Sequence, residues 1–178
     1  MEVIKSLSLE NENRSTEVTL KELLDSRENR VWHQQELLEK YGNLLVSVTL
    51  NIPGPVKDKP EYRKLMEWGM EGLLGAFGPN VVHKEIRFLK TGAEGYLCLA
   101  GMEAEEAKYI TVLVEGMAPK ARLLDIDVLT GDGAVSRSQL GLEPRKCLLC
   151  NEDAKACARS QKHSMEDLLA EVDRLCKK

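Results

Sequence analysis

From residue 19 onward, hydrophobic and polar positions alternate between helix-like and strand-like periods. Leu20, Leu23, Leu24, Val31 and Leu38 recur at the spacing of one helix face, with Thr19 as the cap and Gly42 as the stop. Leu44 to Leu50 reads as a buried strand. Asn51 to Pro60 holds three prolines and one glycine in ten residues and reads as a loop. Pro60 is suited to the first turn of a second helix, whose apolar face is Leu65, Met66, Leu73, Leu74 and Phe77 and whose stop is Gly78-Pro79.

Two strands follow, Val81 to Leu89 and Tyr96 to Ala100, joined by a turn over residues 91–95. Glu103 to Glu115 opens as a helix, although Ile110 to Val114 is equally good strand sequence. Arg122 to Thr130 is a strand, and Gly131-Asp132-Gly133 turns it into Ala134 to Ser138. A last helix spans Met165 to Cys176, with Ser164 and Asp167 as a capping pair. Residues 1–18 are polar and unpatterned and read as a flexible tail; residues 19–178 form one domain with a Cys-rich segment at 145–163. The irregular alternation of helices and strands, with a hairpin, predicts an α+β layer fold: a mixed β-sheet with packed helices. No Gly-rich dinucleotide or P-loop fingerprint is present.

Bulk properties narrow the function. A chain of 178 residues suits a single compact domain, and with aromatics at 4% its core must be aliphatic. A formal net charge of -4 argues against nucleic acid as the main partner. No stretch approaches the ~20 apolar residues of a membrane span. Met1 to Ser15 lacks the apolar region of a secretory signal, so the expected location is cytoplasmic.

The most informative stretch is Arg122-Leu123-Leu124-Asp125-Ile126-Asp127-Val128. In a strand, Asp125 and Asp127 share one face about 7 Å apart, while Leu124, Ile126 and Val128 pack the other way. Two carboxylates on one face repel each other, and a divalent cation removes that cost. Mg²⁺ in particular takes one or two carboxylates together with substrate phosphate oxygens. The competing reading is a solvated strand face with two surface aspartates. Glu85, Glu94 and Asp132 are candidates for a third carboxylate.

Positive charge is scattered. Lys57 follows a rigid Pro-Gly-Pro corner and reads as a phosphate contact or as a surface lysine. Arg27, Arg30 and Gln34 share one side of the first helix, either as a binding face or as a solvated one. Arg122 is expected beside the aspartates, orienting one of them or binding phosphate. Cys147, Cys150, Cys157 and His163 place four potential zinc ligands within 17 residues. A redox pair at Cys147 and Cys150, and inert buried thiols, are the alternatives. Cys98 and Cys176 sit on apolar faces, and His33 and His83 read as exposed or satisfied.

The Arg122–Val128 stretch resembles the G-R-L-x-D-x-D-V signature of the citrate lyase holo-[acyl-carrier protein] synthases, the apo-citrate lyase phosphoribosyl-dephospho-CoA transferase family. This sequence has Ala121 where the family usually has glycine. Arg27-Glu28-Asn29-Arg30 with Gln34 is similar to a family R-E-x-R-x-x-x-Q helix, and Pro53-Gly54-Pro55-Val56-Lys57-Asp58 to its P-G-P-x-K-D loop. Arg145-Lys146-Cys147-Leu148-Leu149-Cys150, then Cys157-Ala158-Arg159 and His163, resembles its C-terminal block. The likeness runs from about residue 19 to the end.

The resemblance implies a nucleotidyltransferase-like fold and reaction. The donor is triphosphoribosyl-dephospho-CoA, the acceptor is a serine of the apo acyl carrier subunit of citrate lyase, and pyrophosphate leaves. It implies Asp125 and Asp127 as the catalytic pair holding Mg²⁺, with Arg122, Lys57, Arg27, Arg30 and Gln34 on the substrate; the Cys/His spacing separately leaves structural Zn²⁺ as a second candidate cofactor. The rival reading is a zinc-stabilised interaction module that docks on a carrier protein without chemistry.

Overall fold

The computed structural model describes residues 16–42 and 44–177. Most of the expected tail therefore lies outside the described residues, but Val18 is buried and its N–H donates to Pro55 O at 2.8 Å. Helix α1 (Leu20–Tyr41) opens with a full capping box between Thr19 and Glu22. It leads into strand β1 (Leu44–Leu50), then α2 (Pro60–Phe77), β2 (Val81–Leu89) and β3 (Gly92–Leu99). Helix α3 (Ala104–Gly116), β4 (Leu124–Thr130), β5 (Gly133–Val135), α4 (Ala154–Ser160) and α5 (Met165–Cys176) complete the chain.

The five strands form one sheet in the order β2-β3-β1-β4-β5. Every pairing is antiparallel, which corrects the expected mixed sheet. The connections explain this. The hairpins β2–β3 and β4–β5 can only reverse the chain, and both partners of β1 run opposite to it.

One face of the sheet carries the main core. Leu44, Val46 and Val48 of β1, Leu97 and Leu99 of β3, and Leu124, Ile126 and Val128 of β4 pack there with α2, α3 and α5. Helix α2 approaches closely because two glycines make room. A Cβ on Gly69 would meet Leu124 Cδ2 at 2.7 Å, and one on Gly95 would strike the Met70 sulfur. Ile110 to Val114 is helical, because Thr111 and Val114 are needed on the buried face of α3.

Helix α1 covers the other face, and its apolar positions are not what meets the sheet. Leu20, Leu24 and Val31 are exposed, whereas Ser26, Arg30, His33, Gln34 and Leu37 turn inward. Much of the sheet surface beneath is polar, so the helix presents hydrogen-bonding groups to it, while Leu37, flanked by the partly buried Leu38 and Tyr41, joins a small apolar cluster with Leu45, Tyr96 and Cys98.

Candidate active site

The polar face of the sheet has two transverse rows. Arg87, Glu94, Thr49 and Asp125 stand in register across β2, β3, β1 and β4. One pleat along, Glu85, Tyr96, Ser47 and Asp127 form the second row. Asp125 and Asp127 thus lie on the face expected for them, opposite the buried Leu124, Ile126 and Val128. Helix α1 bonds to the same rows: Gln34 Nε2 donates to Ser47 Oγ at 2.9 Å, Arg30 Nε to Glu94 Oε1 at 2.9 Å, and His33 Nε2 lies 3.1 Å from Glu85 Oε2.

Between α1, the Pro-Gly-Pro loop and the ends of β1 and β3 lies a cavity of about 230 Å³ whose walls include Arg27, Arg30, Lys57, Glu94 and Asp125. Arg27 and Asp125, 98 positions apart in the chain, line this one cavity. Lys57 is half-buried and donates to Ile52 O. Burial, and after it the nearby Arg27 charge, hold its ammonium below the usual lysine range. Desolvation, and then the Asp125 charge, hold the Asp127 carboxyl above the usual aspartate range although it remains open to solvent. Lys57 from the loop, Arg27 and Arg30 from α1 and Asp125 from β4 therefore share one region.

Of the three candidate third carboxylates, Glu94 alone lines the cavity. It is 3% exposed and engaged by Arg30 and by the Tyr96 hydroxyl, which donates at 2.7 Å. Glu85 is committed to His33, and Asp132 lies in the β4–β5 turn.

Arg122 and the Cys-rich segment form a second arrangement. Arg122 sits in the 3₁₀ turn before β4, and its guanidinium donates to Cys147 O at 2.5 Å and to Leu148 O at 3.4 Å. Arg122 was expected to orient one of the aspartates, but its guanidinium is turned to the Cys-rich segment. Arg145 takes that place: Nη1 donates to Asp125 Oδ1 at 2.9 Å, and Nη2 to Arg122 O at 3.2 Å and to Leu124 O. Beside it, Ile126 O accepts from the buried Lys108 Nζ at 2.9 Å and Ile126 N–H donates to Glu115. Short β5 leaves this stretch of β4 without a neighbouring strand, so side chains satisfy the exposed edge.

The ligand atoms of Cys147, Cys150, Cys157 and His163 all lie within 4.8 Å of one another. Tetrahedral zinc with bonds of about 2.3 Å to sulfur places two thiolates roughly 3.8 Å apart. Cys150 Sγ and Cys157 Sγ are 4.0 Å apart, and His163 Nε2 is 3.3 Å from Cys150 Sγ. The four residues form a Cys₃His candidate metal site whose dimensions are consistent with structural zinc. Cys157 comes from α4, and the left-handed Gln161 (φ 47°) turns the chain at the end of that helix toward His163. Cys98, by contrast, is a core thiol pushed up to about 11 by burial and by Glu85.

Residues 18–178 match the model of the apo-citrate lyase phosphoribosyl-dephospho-CoA transferase family. The chain belongs to this family. A Vibrio cholerae serotype O1 protein named "Probable apo-citrate lyase phosphoribosyl-dephospho-CoA transferase" is 37% identical over 162 residues, covering 89% of this chain and 91% of that protein. A protein of the same name from Streptococcus pyogenes serotype M18 is 32% identical over 164 residues, covering 89% of this chain and 85% of its own length. The "Protein CitXG" of Haemophilus influenzae is 35% identical over 164 residues, which cover 90% of this chain and 35% of that protein. Family membership makes the chain an enzyme, a transferase.

Within this transferase, Arg145 had no role foreseen from the sequence, and Glu94 was foreseen as a carboxylate but not on a strand. Arg145 precedes a cysteine pair and gives no local sign that it reaches β4. Glu94 was expected in a turn, but the hairpin needs only Lys90-Thr91, with Gly92 at φ 121° taking the strained position, so Glu94 falls within β3. The departure at Ala121 is accommodated: its methyl is fully buried and its φ is not positive.

Proposed function

We propose that this transferase moves the phosphoribosyl-dephospho-CoA group from triphosphoribosyl-dephospho-CoA to a serine of the apo acyl carrier subunit of citrate lyase. The observation that carries this reading is the convergence of Lys57, Arg27, Arg30 and Asp125 on one cavity beside Asp127. The family name supports the substrates, and the strand-borne aspartate pair supports a nucleotidyltransferase-type reaction.

In this reaction the serine Oγ attacks the innermost phosphorus of the triphosphate. A new P–O bond forms, the bond to the bridging oxygen breaks, pyrophosphate departs and the serine proton is lost. Asp125 and Asp127 would hold Mg²⁺, which when bound neutralises charge on the phosphoryl oxygens. Lys57 and Arg27 meet the phosphates from the loop and helix sides. Arg30, its Nε held by Glu94 in the cavity wall, would offer its remaining guanidinium N–H groups to them. Gln34 lies one turn further along α1 and fixes that helix to β1 through Ser47. Zinc at Cys147, Cys150, Cys157 and His163 would hold the C-terminal segment in shape.

The test is to mix the protein with donor, apo carrier and Mg²⁺ and to measure pyrophosphate. Release that requires all four components is expected. No release with folded, metal-loaded protein would leave the carrier-docking module as the better account.

A further inference from the structure

The Cys₃His cluster and the aspartate strand are tied together by two crossed arginines. Arg122, just before β4, donates to the backbone carbonyls of Cys147 and Leu148. Arg145, two residues before Cys147, donates back to the carbonyls of Arg122 and Leu124 and to the Asp125 carboxylate. The backbone of Arg145 is in turn fixed by the start of α4, because Ala154 N–H donates to Arg145 O at 2.8 Å. Cys147 N–H closes the same loop onto Glu152 O at 2.8 Å.

Residues 141–153 contain no helix or extended strand, only a single bridge between Lys146 and Asp153. Their path is held by these bonds, by Leu142 N–H donating to Arg137 O, by Leu148 against the core and by the four ligand side chains. A metal joining Cys147 and Cys150 to Cys157 and His163 would lock the segment to α4 and to the turn before α5. Arg145 would then be held where its planar fork spans Asp125 and the edge of β4.

We propose that the Cys₃His centre is a positioning device for the aspartate pair, acting through Arg145. The inference rests on the reading of Asp125 and Asp127 as ligands of a divalent cation. Arg145 is a positioning residue here: it orients Asp125 and shields it from Asp127 but does not itself meet the cation. Zinc occupancy thereby sets how well the pair binds its own metal, some distance from the zinc ligands along the chain.

Mn²⁺ can report on this without donor, carrier or turnover. Its binding to the zinc-loaded protein is followed by the loss of the free-ion electron paramagnetic resonance signal. Zinc is then withdrawn with a chelator that spares Mn²⁺, and its loss is confirmed by elemental analysis. Mn²⁺ affinity should fall by about 10-fold or more, the scale on which residues that orient metal ligands act. Arg145→Ala should show the same weakening with zinc in place, and zinc removal should add little to it. Arg145→Lys, which keeps the charge and loses the fork, should fall between. Circular dichroism of each sample separates this from unfolding, and readdition of zinc should restore wild-type affinity. Unchanged Mn²⁺ affinity after verified zinc loss, or in Arg145→Ala, overturns the inference alone. A wild-type protein that binds no Mn²⁺ overturns the reading of the aspartate pair, and this inference with it.

Discussion

Arg30 Nε donates to Glu94 Oε1 at 2.9 Å, joining α1 to β3 across the floor of the cavity. The pair is asymmetric, since Glu94 is almost fully buried while the Arg30 side chain is 27% exposed. Arg30→Ala therefore removes the direct cationic partner of a buried carboxylate, leaving the Tyr96 hydroxyl and, at 3.9 Å, Arg87 Nη1. It should cost about 1–3 kcal/mol in urea unfolding, as expected for an abandoned buried partner. Adding Glu94→Gln should recover much of that stability but none of the lost transfer, because the phosphate contact stays absent.

Lys57 offers a pH signature. Burial and Arg27 hold its pKa down, so a bound polyphosphate must raise it. Donor affinity should decline as pH rises through this lowered pKa, at a lower pH than an ordinary lysine would dictate. Calorimetric titration in buffers of different ionisation enthalpy should show proton uptake on that limb. Lys57→Ala should abolish the uptake and weaken donor binding by about 1–3 kcal/mol, with little change in carrier affinity.

Asp127 should trade stability for activity. Its folded pKa is raised by desolvation and by Asp125, so the ionised form is disfavoured by folding. That penalty is present above the folded pKa and disappears as pH falls below the unfolded value. Asp127→Asn should therefore melt at or above the wild-type temperature at neutral pH, with the gain fading toward acid. Transfer should fall by at least ~10²-fold, because charge leaves the metal site. Melting curves and initial rates across pH measure both.

The Cys₃His cluster predicts about one equivalent of zinc in purified protein. Chelation should lower the melting temperature, and Cys150→Ser should lower it too. Metal-free protein with an unchanged melting temperature would make the four side chains ordinary packing.

Much of this site was legible from local pattern. β1, β2 and α5 begin and end where the hydrophobic spacing and caps place them, and the facing of Asp125 and Asp127 follows from strand alternation alone. What escaped was non-local. The inward face of α1 is set by the polar rows of a sheet built from distant strands, so Leu20, Leu24 and Val31 misled as a core stripe. Strand direction depends on which strands flank β1, which no local period encodes. Arg145 takes the place expected of Arg122 because the Cys-rich segment folds back on β4 through side chain-to-backbone bonds. Lys57 and Arg30 share the cavity with Asp125 without any sequence proximity, and there the recurrent R-E-x-R and P-G-P-x-K-D blocks supplied what periodicity does not.

The central claim is that the aspartate strand catalyses attachment of the prosthetic group to the carrier. The most direct measurement is the intact mass of apo carrier after incubation with donor, Mg²⁺ and protein. Wild type should convert the carrier to a single species heavier by the donor minus pyrophosphate, and conversion of its acceptor serine to alanine should prevent this. Asp125→Asn, shown to be folded, should leave the carrier mass unchanged over the same interval. An unmodified carrier with wild type, or full modification by Asp125→Asn and Asp127→Asn alike, would contradict the account.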